Sequence, residues 1–145
     1  MIGRYRLRSR PMKQLINIDV PHLDEATAFY TEAFGLRVGR RFGDQVVELL
    51  GGEAPIYLLL KKEGSQAAGH DVRVYSRHWT PVHCDVVVDD IEAALARAVA
   101  AGAAQEDRIR STRWGRIVQI ADPFGNGWCL LQFVGRGYDE IANPD

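Results

Sequence analysis

Along residues 14–20, QLINIDV, the apolar side chains of Ile16, Ile18 and Val20 alternate with Leu15, Asn17 and Asp19. A period of two with one fully apolar face marks a strand. After Pro21 the period changes. Leu23, Ala26, Tyr30, Ala33 and Phe34 recur at helical spacing, Asp24 and Glu25 fall in the first turn where the helix dipole favours acids, and Gly35 stands at the C-terminal cap position. Three short strands are then expected at 36–42, 45–50 and 55–61, divided by the turn signals Gly43-Asp44 and Gly51-Gly52. The first half of the chain reads β-α-β-β-β.

A polar stretch follows, KEGSQAAGHDVRVYSRHWT at 62–80, longer than an ordinary connection. Beyond it a strand is expected at 82–88. Ile91, Ala94, Leu95, Ala98 and Val99 then form one helical face ended by Gly102, and further strands are expected at 104–110, 115–121 and 128–134. The second half therefore repeats the first: Leu23 corresponds to Ile91, Gly35 to Gly102, Val47 to Val118 and Tyr57 to Cys129. A module of one amphipathic helix and four strands cannot cover both faces of its own sheet, so the uncovered faces must meet something.

The chain has 145 residues, which fits one domain, with 46% hydrophobic and 26% charged residues, which excludes wholesale disorder. Its formal net charge of -1 creates no general attraction for phosphate backbones or anionic lipid, so neither nucleic acid nor membrane is an expected partner. Two cysteines, Cys84 and Cys129, are too few for a disulfide framework. They are placed on opposite faces of neighbouring strands and are expected to remain thiols. With no long apolar run and no signal-like segment, a cytoplasmic location is expected. Arg4, Arg6, Arg8 and Arg10 make residues 1–11 a basic tail, expected to be disordered, ahead of a domain that starts at Met12. The expected division is module 1 at 12–62, a linker at 63–80, module 2 at 81–135 and a C-terminal tail at 136–145.

The paired β-α-β-β-β modules, with NIDVPHLDEATAFYTEAFGL opening the first and DPFGNGWCLLQF closing the second, resemble the vicinal oxygen chelate superfamily. That superfamily includes glyoxalase I, extradiol dioxygenases, and bleomycin and fosfomycin resistance proteins. The resemblance covers residues 12–135, and its most specific piece is the D-P-x-G-N segment at Asp122 to Asn126. It implies an α+β fold in which two tandem βαβββ modules form curled mixed sheets around a cup, with the helices outside. If Ile16, Ile18 and Val20 face the helix, Leu15, Asn17 and Asp19 face the cup. Likewise Cys84, Val86 and Val88 face the helix, and His83, Asp85 and Val87 face the cup. Glu48 and Gln119 on the third strands, and Tyr57 and Cys129 on the fourth with Leu59 and Leu131 beside them, are the equivalent inward candidates.

In metal-dependent members the resemblance places the four ligands at the first residue of each first strand and on each fourth strand, here Leu15, Tyr57, His83 and Cys129. Leu15 has no lone pair to give, Tyr57 is a poor ligand at neutral pH, and Cys129 replaces a carboxylate. No intact family metal site and no cofactor are expected. The alternative is one divalent metal (Zn, Ni, Mn or Fe) with His83 and Cys129 as the candidate ligands. His83 and Cys129 also read as ordinary members of a half-buried sheet.

Two functions follow. One is a metal-free protein of the bleomycin-resistance kind, binding a small apolar or aromatic molecule through Leu15, Tyr57, Trp114 and Leu131, with Asn17, Asp19, Arg116, Gln119 and Cys129 lining the same pocket. The other is a glyoxalase-type lyase, isomerase or dioxygenase in which His83 is ligand or general base and Asp85 or Glu48 polarises the substrate or moves a proton. A subunit or regulatory module without a ligand is a third reading, and the sequence does not decide whether the chain is an enzyme. Trp114 and Arg116 read either as a stacking and clamping pair at a pocket mouth or as cover for a sheet end. His78 and Trp79 could fold over the cup from the linker. Arg40, Arg41, His22, Lys61 and Lys62 read as solvated surface. The resemblance also implies a homodimer, since such modules pair within a chain or are exchanged between chains.

Overall fold

The computed structural model describes residues 10–144. Of the basic tail expected over 1–11, residues 1–9 lie outside the described residues. The first module contains β1 (Ile16–Val20), α1 (Leu23–Phe34), β2 (Arg37–Phe42), β3 (Val46–Leu50) and β4 (Ile56–Leu60). Its sheet has the order β1-β4-β3-β2, with β1 parallel to β4 and the other pairs antiparallel. The second module contains β5 (Cys84–Val87), α2 (Ile91–Ala101), β6 (Ala104–Gln105), β7 (Arg110–Ser111), β8 (Gly115–Ala121) and β9 (Gly127–Phe133). Its order is β5-β9-β8-β6, with β7 also paired to β8.

The helices end where the chain chemistry dictates. Asp90 caps α2 by accepting from the Ala93 amide at 3.0 Å, and α1 stops at Gly35, whose φ of 66° is the left-handed conformation that a residue without Cβ adopts at no steric cost. The two helices then pack on one another, with Arg97 Nε of α2 donating to the Ala33 carbonyl of α1 at 3.2 Å.

A single apolar core results. Val20, Val47, Leu49 and Leu58 of the first sheet and Val118, Ile120, Trp128 and Leu130 of the second enclose Phe29, Tyr30 and Ala33 of α1 and Ile91, Ala94 and Ala98 of α2. Phe29 meets Phe124 edge-on with ring centroids 6.3 Å apart, and Tyr30 meets Trp128 at 5.7 Å, so α1 packs on both modules. Full burial of one Leu such as Leu58 contributes about 1.5–3 kcal/mol, and truncating it to Ala costs about 2–5 kcal/mol once the cavity is included. Each sheet thus turns one face to the shared core and the other outward.

One expected element is broken. Instead of a strand over 104–110, β6 stops at Gln105 and β7 resumes at Arg110. Opposite this gap the Gln119 carbonyl accepts from the Glu106 amide at 2.9 Å, while the Gln119 amide donates to the Asp107 side chain at 2.7 Å. A side-chain oxygen has taken the place of a ladder carbonyl, and the chain bulges outward. The C-terminal segment is also more ordered than a tail: Gly137–Glu140 form a 3-10 turn whose Tyr138 stacks on Trp114 and Phe133 at 5.1 and 4.8 Å.

Candidate functional site

Side-chain alternation separates the residues of β5 cleanly. Cys84, Val86 and Val88 pack against the core, so Asp85 and Val87 stand on the outward face. Register then sets a row across three strands: Asp85 lies opposite Cys129, and Cys129 lies opposite Gln119. His83 joins this row from just before β5, its Nε2 3.6 Å from Asp85 Oδ1. Donor atoms of His83, Asp85 and Cys129 all lie within 4.8 Å of one another. The Cys129 thiol donates to Gln119 Oε1 at 3.4 Å, and burial, with help from the Asp85 carboxylate, pushes its pKa up to about 11. Leu131 is buried on the same outward face, and the exposed Trp79 ring from the linker stacks beside His83 at 5.5 Å.

The first module carries the equivalent row, Asn17 opposite Tyr57 opposite Glu48. Glu48 is only 5% exposed although it faces away from the core. Arg40 reaches over it, with Nη2 2.6 Å from Oε2 and Nε 3.0 Å from Oε1, while the Tyr57 hydroxyl donates to Oε2 at 2.8 Å. The Arg40 guanidinium, then the Tyr57 hydroxyl, hold the Glu48 carboxyl down at a pKa of about 2. Gly39 makes room for this: a Cβ there would come within 2.6 Å of Glu48 Oε1. Asp19, two residues along β1 from Asn17, is paired with Arg73 of the linker at 2.8 Å. A cleft of about 470 Å³ opens beside that pair, lined by Asn17, Arg73, His78 and Asn126 among others.

Among the described residues no hydrogen bond or ion pair joins Asn17, Asp19, Glu48 or Tyr57 to His83, Asp85 or Cys129. Each module thus presents its own row of polar side chains on an outward sheet face. Leu15 precedes β1 and is largely exposed. Arg116 does not reach a pocket mouth. It shares the face of Val118 and Ile120 and pairs with Glu92 in the first turn of α2, its Nη1 3.0 Å from Oε2. Trp114 covers the C-terminal turn through Tyr138 instead of standing free. Arg40 is solvated as expected, its side chain 68% exposed, but it is also the principal partner of Glu48, and Arg73 was missed. The local signal for Arg40 was Gly39 beside it; nothing local pointed to Arg73.

The metal positions implied by the superfamily resemblance do not fit this chain. Leu15 has no donor atom, and the Tyr57 hydroxyl is already committed to Glu48 on the first sheet while His83 and Cys129 stand on the second. The loop that closes the second module is structural. Asp122 accepts from the Phe124 and Asn126 amides at 2.8 and 2.9 Å, from Asn126 Nδ2 at 2.9 Å and from the Tyr30 hydroxyl. That network explains the D-P-x-G-N segment as an anchor between modules.

Comparison with known proteins places this architecture. Solved structures of like fold include a glyoxalase family protein from Bacillus cereus (TM-score 0.67, 18% identity, 89% of this chain and 99% of that one). They also include a lactoylglutathione lyase from Agrobacterium tumefaciens (0.59, 23%, 84% and 95%) and a fosfomycin resistance protein from Mesorhizobium loti (0.64, 15%, 89% and 96%). By sequence, uncharacterised proteins of Mycobacterium tuberculosis H37Rv and Mycobacterium bovis are 41% identical over 64 residues, 43% of this chain. The match spans only 38% and 42% of the length of those relatives. The model of the glyoxalase-like domain matches residues 15–131, most of the chain, and with the two-module fold it shows that the protein belongs to the glyoxalase-like family of the vicinal oxygen chelate superfamily.

Proposed function

We propose that this protein binds a small, partly apolar organic molecule in a cup completed by a second copy of the chain, without the four-ligand metal centre of the superfamily. The observation that carries the reading is the matched pair of rows. Asn17, Tyr57 and Glu48 on one outward sheet face and Asp85, Cys129 and Gln119 on the other are equivalent halves of a polar lining, with no hydrogen bond or ion pair between them among the described residues. Leu15, Val38, Phe42 and Val87, exposed on or beside these sheets, supply apolar surface for a partner to cover. The acids differ in availability: Asp19 and Glu48 are already neutralised by Arg73 and Arg40, leaving Asp85 with His83 as the polar pair open to a ligand. The named activities of the structural neighbours, a lactoylglutathione lyase and a fosfomycin resistance protein, support a small molecule as the ligand class.

A homodimer of this kind buries more than about 1,200 Å² and persists at micromolar concentration. Sedimentation should give twice the chain mass. Thermal-shift screening of aromatic, cationic and phosphonate compounds should then find a ligand whose binding is lost in Asn17→Ala alone and in His83→Ala alone, and mixed dimers of Asn17→Ala with His83→Ala chains should retain about half the sites, because one of the two cups is intact. A monomer, or mixed dimers with no sites, would overturn the shared cup.

The 3.6 Å approach of His83 to Asp85 favours one second reading, a glyoxalase-type lyase, isomerase or dioxygenase with His83 as general base oriented by Asp85. Turnover of the screened ligand, lost in His83→Ala with binding retained, would select it.

A further inference from the structure

The second module brings together three side chains of different donor type. His83 offers an imidazole nitrogen, Asp85 a carboxylate oxygen and Cys129 a sulfur, all within 4.8 Å of one another. We propose that His83, Asp85 and Cys129 form a three-ligand site for a soft or borderline divalent metal, zinc foremost, contained wholly within the second module of one chain. This set shares the positions of His83 and Cys129 with the four-ligand arrangement of the superfamily but differs from it in composition and origin, since Leu15 and Tyr57 of the first module take no part and Asp85 supplies the third donor. It goes beyond the small-molecule reading and does not depend on it.

Donor chemistry selects the metal. A mixed nitrogen, oxygen and sulfur set suits zinc, whereas magnesium and calcium take oxygen donors. Three protein ligands with a fourth position free is the arrangement of reactive zinc sites rather than structural ones. Bond lengths of about 2.0–2.3 Å in a tetrahedron put donors roughly 3.5 Å apart, so side-chain rotation suffices to close the cluster. The backbone is already fixed, because Asp85 and Cys129 are register partners on adjacent strands.

Charge also balances. Binding converts the Cys129 thiol to thiolate and releases its proton to solvent. The thiolate and the Asp85 carboxylate together offset the two positive charges of the ion, which a half-buried site requires. Gln119 is placed to support that change. Its Oε1 accepts from the thiol now, and its Nε2 is buried with no hydrogen-bond partner among the described residues. A half-turn of the amide would direct N–H at the thiolate, as outer-shell groups do in metal sites.

The test uses the full chain, reduced and stripped with chelator, titrated first with Co(II) and then with Zn(II). One Co(II) per chain should bind with release of about one proton at neutral pH and with a thiolate-to-cobalt charge-transfer band, and Zn(II) should then displace it without further proton release. Cys129→Ser should abolish the band, His83→Ala and Asp85→Asn should each weaken binding about tenfold or more, and Cys84→Ala should leave both unchanged. Circular dichroism of each variant reports that it is folded. Absence of saturable Co(II) binding, a band that survives Cys129→Ser, or unchanged affinity in Asp85→Asn would overturn the site. Because all three ligands belong to one chain, a monomeric protein that binds metal would sink the shared cup and leave this site standing.

Discussion

The Tyr30 hydroxyl of α1 donates to Asp122, five residues before β9, and so ties the helix of the first module to the signature loop of the second. Both groups are buried, and burial together with the Asp122 charge raises the Tyr30 pKa well above its ordinary value. The phenol is therefore held in its protonated, donating form at neutral pH. Tyr30→Phe should lower unfolding free energy by about 1–3 kcal/mol, since Asp122 keeps its other donors but loses one at a desolvated oxygen. Asp122→Ala should cost more. Urea denaturation of the three proteins measures both.

Glu48 makes part of the stability pH-dependent. Its folded-state pKa is lowered from 4.5 to about 2 by Arg40 and Tyr57. The stabilisation is thus fully present above the ordinary value and is lost as pH falls through the folded one. Thermal unfolding of wild type and Glu48→Gln should differ at neutral pH, and the gap should narrow as pH drops from about 4.5 towards about 2. A gap independent of pH would show that packing, not charge, is what the substitution removes.

Part of this arrangement is legible in the chain itself. Alternation in QLINIDV and VHCDVVV assigned the outward positions of Asn17, Asp19 and Asp85, because a period of two leaves no other choice once one face is apolar. The same period, followed through GRIVQIA, puts Arg116 with Val118 and Ile120 on the helix side, a signal in the sequence that already favours the sheet-end reading of Arg116 over the pocket-mouth one. The break at 106–109 was less accessible, since it depends on Asp107 capturing a backbone amide from another strand. Pairs such as Arg73 with Asp19, separated by 54 positions, are products of the folded chain and leave no local pattern.

Gly125 should resist substitution. Its φ is 96°, and a Cβ there would lie 2.7 Å from the Tyr75 carbonyl oxygen and 3.0 Å from that of Ser76. Backbone cannot yield as a flexible side chain can, so Gly125→Ala should cost more than about 1 kcal/mol and loosen the linker. Limited proteolysis should then cut within 62–80 faster than in wild type.

Both thiols should be slow nucleophiles in metal-free protein. Burial raises the pKa of Cys84 as it does that of Cys129, and in each case the Asp85 carboxylate adds to it. With a pKa of about 11, Cys129 holds little thiolate at neutral pH, and iodoacetamide should modify it at least about tenfold more slowly than an exposed cysteine. Mass spectrometry of timed samples reads this directly. Rapid labelling of Cys129 would mean that the outward face opens more than the static contacts indicate.

Because α1 packs on both sheets, the duplicated halves do not own separate interiors. A half-chain ending within the linker would strand Phe29 and Tyr30 in water, and its counterpart would expose Trp128 and Leu130. The repeat visible in the sequence is thus not a repeat in thermodynamic independence: heat should melt the chain in one calorimetric transition, and two fragments cut at the linker should regain structure only when mixed.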